Sequence, residues 1–248
     1  MKRNAEIEHL WSEPAPEARP FHRTDITGLA EPSRLYLEHA IVEGAPIASA
    51  VRLWMHGEIK LGTWRRFEAE QVIDLRRGMI WSASVRMGPL RVSGFDRILD
   101  GEGAMSWKAL GLIPVMTESG ADITRSAIGR LAAELIWLPS AFLVTDVTWS
   151  YPEHGQLRAV IQLQGEEVEP KLIIDRNGRL LAVRLWRWGN PEGGDFRFVE
   201  FGAMVAEEKT FAGYTVPGQV RVGWNPRGDQ FDSDGEFFRG FLDGAAYR

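Results

Sequence analysis

The chain has no cysteine among its 248 residues. That excludes disulfides, thiolate nucleophiles, zinc held on sulfur and a lipid-bearing N-terminal cysteine. It also lacks a long apolar run, since none approaches the ~18–20 residues that a membrane-crossing helix needs. The opening MKRNAEIEHLWSEPAPEARP starts basic but has neither the continuous apolar region nor the small-residue cleavage site of a secretory signal, so a cytoplasmic location is expected. No segment carries a lysine–arginine cluster and the formal net charge is −5, so nucleic acid is not an expected partner. The histidines His9, His22, His39, His56 and His154 lie in no metal-binding frame. The acidic stretch with Asp229, Asp232, Asp234 and Glu236 lacks calcium-loop spacing and reads as a solvated turn. No G-x-S-x-G surrounds Ser126, Ser140 or Ser150, and Gly101 and Gly103 are too few for a phosphate cradle. No metal or cofactor is expected.

What is present is aromatic and strand-like. Ten tryptophans are spread along the chain, and aromatic-rich strands suit curved sheets with a broad apolar face. Residues 1–27 are rich in proline and charge, with Pro14, Pro16 and Pro20 preventing a helix over the second half, and read as a partly ordered N-terminal arm. Residues 28–248 contain no linker and read as one domain. Pro32 at a helix start and Gly44 as a stop predict a first helix from about Glu31 to Glu43. From Ala48 the pattern changes to short segments rich in valine, isoleucine, tryptophan and phenylalanine, a meander of antiparallel strands. ADITRSAIGRLAAELIWLP, ended by Pro139, predicts the second helix; after it DRNG at Asp175–Gly178 marks a hairpin turn. Roughly ten strands and two principal helices result. So long a sheet must curl, and two helices cannot clothe both its faces. The expected fold is therefore α+β and mainly β: a strongly curved antiparallel sheet, an incomplete β-barrel, with helices in its concave side.

The second helix carries Arg130 and Glu134, four apart in an apolar segment and able to meet on one face. As a ligand site, the arginine would receive a carboxylate or phosphate while the cavity takes an acyl tail. As a structural pair, the two fix how the helix seats in the sheet, with Asp96 or Asp122 as further partners. Trp81, Trp137 and Trp149 are candidates to line a pocket. Arg184 lies on a strand with Trp186 and Trp188, where alternation leaves both faces open.

WRRFEAEQ from Trp64, MIWSASV from Met79, GFDRILDGEGAMSWKALGLIPV from Gly94, IGRLAAELIWLPSAFL from Ile128, LIIDRNGRL from Leu172 and VPGQVRVGW from Val216 occur in an order that resembles an uncharacterised bacterial family, domain of unknown function 6544. One departure is Leu131, which follows Arg130 where the family shows a tyrosine. The resemblance implies a LolA-like fold, similar to the outer-membrane lipoprotein carriers and receptors: a half-barrel around an apolar cavity. The leading expectation is non-enzymatic binding of a hydrophobic small molecule, lipid or acyl chain between the sheet and the Asp122–Leu138 helix, with Arg130 as the head-group anchor. The alternatives are an enzyme using Glu134 as acid or base beside Arg130 and Asp96, and a protein-interaction module with exposed strand edges.

Overall fold

The strands fall into one long antiparallel ribbon. The computed structural model describes residues 5–14, 18–228, 230–231 and 235–248; Asp229, Asp232 and Asp234 of the acidic stretch lie outside the described residues. Six consecutive hairpin-linked strands come first: β1 (Ala50–Leu61), β2 (Thr63–Asp74), β3 (Gly78–Met87), β4 (Leu90–Leu99), β5 (Glu102–Ala109) and β6 (Ile113–Ser119). The second half supplies β7 (Val147–Ser150), β8 (Gln156–Leu163), β9 (Glu166–Val168), β10 (Lys171–Ile174), β11 (Leu180–Gly189), β12 (Arg197–Phe211) and β13 (Tyr214–Trp224). The chain ends with a two-strand ribbon, β14 (Pro226–Arg227) and β15 (Gln230–Phe231), and then β16 (Glu236–Tyr247). The order across the main sheet is β6-β5-β4-β3-β2-β1-β16-β13-β12-β11-β10-β8-β7, with β9 paired to β8. The last long strand thus returns to join the two halves, pairing with β1 on one side and β13 on the other.

This sheet has fourteen strands, more than the ten expected. The extra strands include the three-residue β9, too short to display alternation. Its first and last strands, β6 and β7, do not pair, so the barrel stays open.

Curvature follows from what the main helix touches. The helices are α1 (Ala5–Ser12), α2 (Glu31–Ala40), α3 (Ala121–Glu134) and the short α4 (Ala141–Val144). α3 packs against β4, β5 and β6 at one end of the strand order and against β9 and β11 towards the other, so the sheet wraps round it. Close approach is needed on the β5 side: a Cβ on Gly103 would lie 2.5 Å from the Thr124 Cα, and the Gly103 amide donates to Thr124 Oγ1 at 2.9 Å. α3 passes through a 3-10 turn at Leu135–Trp137 and stops before Pro139, which has no amide hydrogen to continue it. Trp137 Nε1 donates to the Pro217 carbonyl at 3.0 Å, and the Tyr247 hydroxyl donates to the Trp137 carbonyl at 3.1 Å, pinning this end of the helix to β13 and β16.

The main core fills the space between helix and sheet, while α1 covers a small part of the convex face. Ile7 and Leu10 bury against Val72 and Ile80. This cover explains why β2 is buried on both faces from Ala69 to Asp74 instead of alternating. Arg52 holds α1 in place by binding both Glu8 and Glu70.

Candidate functional site

A cavity of about 320 Å³ remains between α3 and the concave sheet. One wall is set by strand register. Gln71 on β2 stands opposite Trp81 on β3, and Trp81 stands opposite Asp96 on β4, so the three form one cross-strand row facing α3. From α3, Arg130 reaches down to this row: its Nε donates to Glu134 Oε1 at 2.8 Å, its Nη1 to Asp96 Oδ2 at 2.9 Å, and its guanidinium lies 4.9 Å from the Trp81 ring centre. Trp107 Nε1 donates to the other Asp96 oxygen at 2.9 Å, and Gln71 Nε2 donates to the other Glu134 oxygen. All four carboxylate oxygens are therefore occupied. Burial works against the Arg130 charge, but Glu134 and Asp96 outweigh it and hold the guanidinium above its ordinary pKa. The side chains of Arg130, Glu134 and Asp96 are 17%, 13% and 27% exposed, so the network forms part of the cavity wall and is sheltered from bulk water.

The opposite wall carries a second arginine in a different electrostatic state. Arg187 on β11 donates from Nε to the Ser126 carbonyl at 3.0 Å and from Nη2 to the Ser126 hydroxyl at 3.2 Å. Its guanidinium lies over the rings of both Phe201 and Trp224, which pack edge to face on each other, at 4.7 and 5.1 Å from their centres. No carboxylate among the described residues forms an ion pair with it, and its Nη1 has no hydrogen-bond partner there. Burial, and then repulsion from Arg130, push its pKa down to about 9, against a partial counter-pull from Glu134 and Asp96. It remains charged at neutral pH. Space for it exists because position 129 on α3 is glycine: a Cβ there would meet Arg187 Cγ at 2.9 Å. Apart from Asn190, the rest of the lining is apolar or aromatic, with Met55, Ile136, Phe237 and Phe238 among it.

Trp81, Asp96, Arg130, Glu134 and Trp137 of the sequence candidates thus come together on this cavity. Two others lie elsewhere. Trp149 on β7 packs on Phe142, ring centres 5.5 Å apart. Arg184 lines a separate cleft of about 230 Å³ on the outer side of α3 and binds the Gly228 carbonyl. Asp122 does not partner Arg130; it accepts from Trp188 Nε1 at 2.8 Å. Arg187 and Gln71 were not singled out by the sequence reading. The available signal was parity: Val183, Leu185 and Arg187 share one face of β11, and Val183 and Leu185 are buried, but Ala182 and Trp186 give the other face an equally apolar appearance.

Residues 19–233 match a family of unknown function, DUF6544. The chain belongs to that family. The DUF6544 match takes in every residue of the arginine network and most of the cavity, leaving α1 and the whole of β16 outside it. No curated protein matches the chain. Solved structures similar to this DUF6544 chain include a putative outer membrane lipoprotein-sorting protein domain from Vibrio parahaemolyticus, at 9% identity over 81% of this chain and 86% of that one with a TM-score of 0.42. A LolA superfamily protein from Nitrosomonas europaea is similar at 9% identity over 88% and 92%, with a TM-score of 0.41. The open curved sheet described above stands on this chain's own strand pairing. Among the described residues there is no cluster of histidines and carboxylates able to hold a metal ion, and no helix is long and apolar enough to cross a membrane.

Proposed function

We propose that the protein binds an anionic amphiphile, its apolar chain in the cavity between α3 and the sheet and its carboxylate or phosphate head on Arg187. The observation that carries this reading is the charge state of the two arginines: Arg130 is neutralised twice over, whereas Arg187 is a cation without a counter-ion in an aromatic wall. A half-buried charge with no ion-pair partner is costly, and an incoming anion would relieve it while accepting the Nη1 hydrogens. Each buried methylene contributes ~0.8 kcal/mol, so six to eight of them supply roughly 5–6 kcal/mol. A charge-assisted head-group contact of about 2–3 kcal/mol brings the gross stabilisation to roughly 7–9 kcal/mol, from which the cost of ordering the ligand is subtracted.

Catalysis by Glu134 draws support from its place on the cavity wall. Against it stands that each oxygen of both carboxylates already accepts a hydrogen bond from the protein, whereas a general base needs an oxygen directed at substrate. Binding without chemistry fits the geometry better. Native mass spectrometry of gently purified protein tests the proposal: an adduct of fatty-acid or lipid mass, exchangeable for added long-chain carboxylate, is the expected result. A protein that retains nothing and takes up no added carboxylate would contradict it.

A further inference from the structure

We infer that the three neighbouring hairpin tips β1–β2, β3–β4 and β5–β6 form a docking face for the surface of an anionic lipid bilayer. This surface involves none of the charged cavity residues and is argued independently of the cavity. Neighbouring strand registers bring the tips side by side, with Phe67 of β2 opposite Val85 of β3, Val92 of β4 opposite Ala109 of β5, and the Leu110 amide donating to the Arg91 carbonyl at 3.0 Å. Their outermost side chains are apolar: Leu61, Leu90, Leu110, Leu112 and Ile113 are 46%, 48%, 60%, 82% and 61% exposed. Just behind them stand Arg66, Arg86, Arg91 and Lys108, all exposed. Residues 59–66, 85–92 and 107–116 contain no aspartate or glutamate, in a chain whose net charge is −5, although Glu58 stands opposite Arg66 at the inner margin of the face. No single segment shows the basic cluster; the fold assembles it from three.

Two local features work against the stability of the isolated protein and mark this face as retained for another purpose. Arg86 and Arg91 stand directly opposite each other in the β3–β4 ladder, a like-charge cross-strand pair, and neither has a carboxylate partner among the described residues. Leu110 sits at the first central position of its turn with φ of 52°, followed by Gly111 at 72°, a geometry that asparagine or aspartate adopts far more readily than leucine. The turn therefore tolerates strain in order to present an apolar side chain at its tip. An apolar edge backed by cations matches the chemistry of an anionic bilayer surface, where the side chains enter the head-group region and the arginines meet lipid phosphates. A second copy of this chain fits poorly, because it would bring the two sets of cations together.

The test is sedimentation of the full chain with vesicles of equal parts phosphatidylglycerol and phosphatidylcholine, and with vesicles of phosphatidylcholine alone. Binding to the anionic vesicles is expected, at least tenfold weaker to the neutral ones, and lost as salt rises from ~0.1 M to ~1 M, where screening shortens from about 10 to 3 Å. Leu112→Asp and Arg86→Glu should each weaken it on the order of fivefold or more. Arg86→Glu and Leu110→Asn should at the same time raise the melting temperature, since one creates a cross-strand ion pair and the other relieves the turn. Lost binding in those two variants therefore cannot be put down to unfolding. Absence of binding, equal binding to both vesicle types, or binding unchanged in the tip variants would overturn the inference. So would a lipid-free dimer that Leu112→Asp dissociates, because the occupant of the face would then be a second copy.

Discussion

At the scale of single residues, the two cavity arginines separate stability from binding. Arg187→Met should stabilise the empty protein by no more than ~1 kcal/mol, because removing a half-buried charge with no ion-pair partner is offset by the loss of two cation–π contacts and two hydrogen bonds to Ser126. The same change should weaken an anionic ligand at least tenfold. Thermal melts with and without ligand check both arms. Glu134→Gln should act in the opposite sense, costing roughly 2–4 kcal/mol in a denaturant titration, since it leaves Arg130 with only Asp96 and disrupts the bond from Gln71. The pH dependence has a definite sign. The folded pKa of Arg187 lies below its ordinary value, so the cost of charging it is complete below about 9 and is relieved as pH rises through that value. Affinity for an anion should accordingly be flat from neutral pH to about 8 and fall above 9, which binding titrations across that range would show. The Arg130–Glu134 contact was legible in the sequence because i,i+4 spacing is a local property of a helix. Arg187 was not, because its inward orientation depends on which of two similar faces of β11 meets α3.

At the scale of elements, α3 is shaped by what it must clear. Glycine in a helix interior costs about 1 kcal/mol relative to alanine, yet Gly129 lies where a methyl group would strike Arg187. Gly129→Ala should therefore leave the melting temperature within a few degrees of the original, while displacing the guanidinium and weakening anion binding severalfold, as a ligand titration would reveal. Helix positions were legible because proline and glycine bound them: α2 starts at Glu31 with Pro32 in its first turn, and the α3 segment ends before Pro139. The α2 end falls at Ala40, short of Gly44, because Ile41 leaves the helix to bridge to Tyr214. The DRNG turn was legible for a similar reason, with Asp175 Oδ1 accepting from the Asn177 amide at 2.8 Å and Gly178 at φ of 83°. Its further role was not visible: a Cβ on Gly178 would lie 2.1 Å from the Leu35 carbonyl oxygen of α2, a contact between elements far apart in sequence. The three-residue β9 left too little alternation to count, one reason the sheet proved larger than expected.

At the scale of the whole molecule, an open antiparallel sheet curves round one helix and leaves an aromatic cavity holding a neutralised and an unneutralised guanidinium. Curvature was legible as a consequence of strand number and scarce helices; the closing of the ribbon through β16, between β1 and β13, was not, because pairing partners far apart in sequence leave no local mark. On the proposed reading, the cavity selects charge at one end of a ligand and apolar area along the rest. The most direct measurement is a matched titration of a long-chain alkyl carboxylate and the alcohol of the same length at neutral pH, followed through the fluorescence of Trp81, Trp137 and Trp224 in the cavity wall. The account predicts that the carboxylate binds at least tenfold more tightly and that Arg187→Met abolishes the difference while leaving alcohol binding in place. Equal affinity for the two ligands, or a preference that survives Arg187→Met, would contradict it.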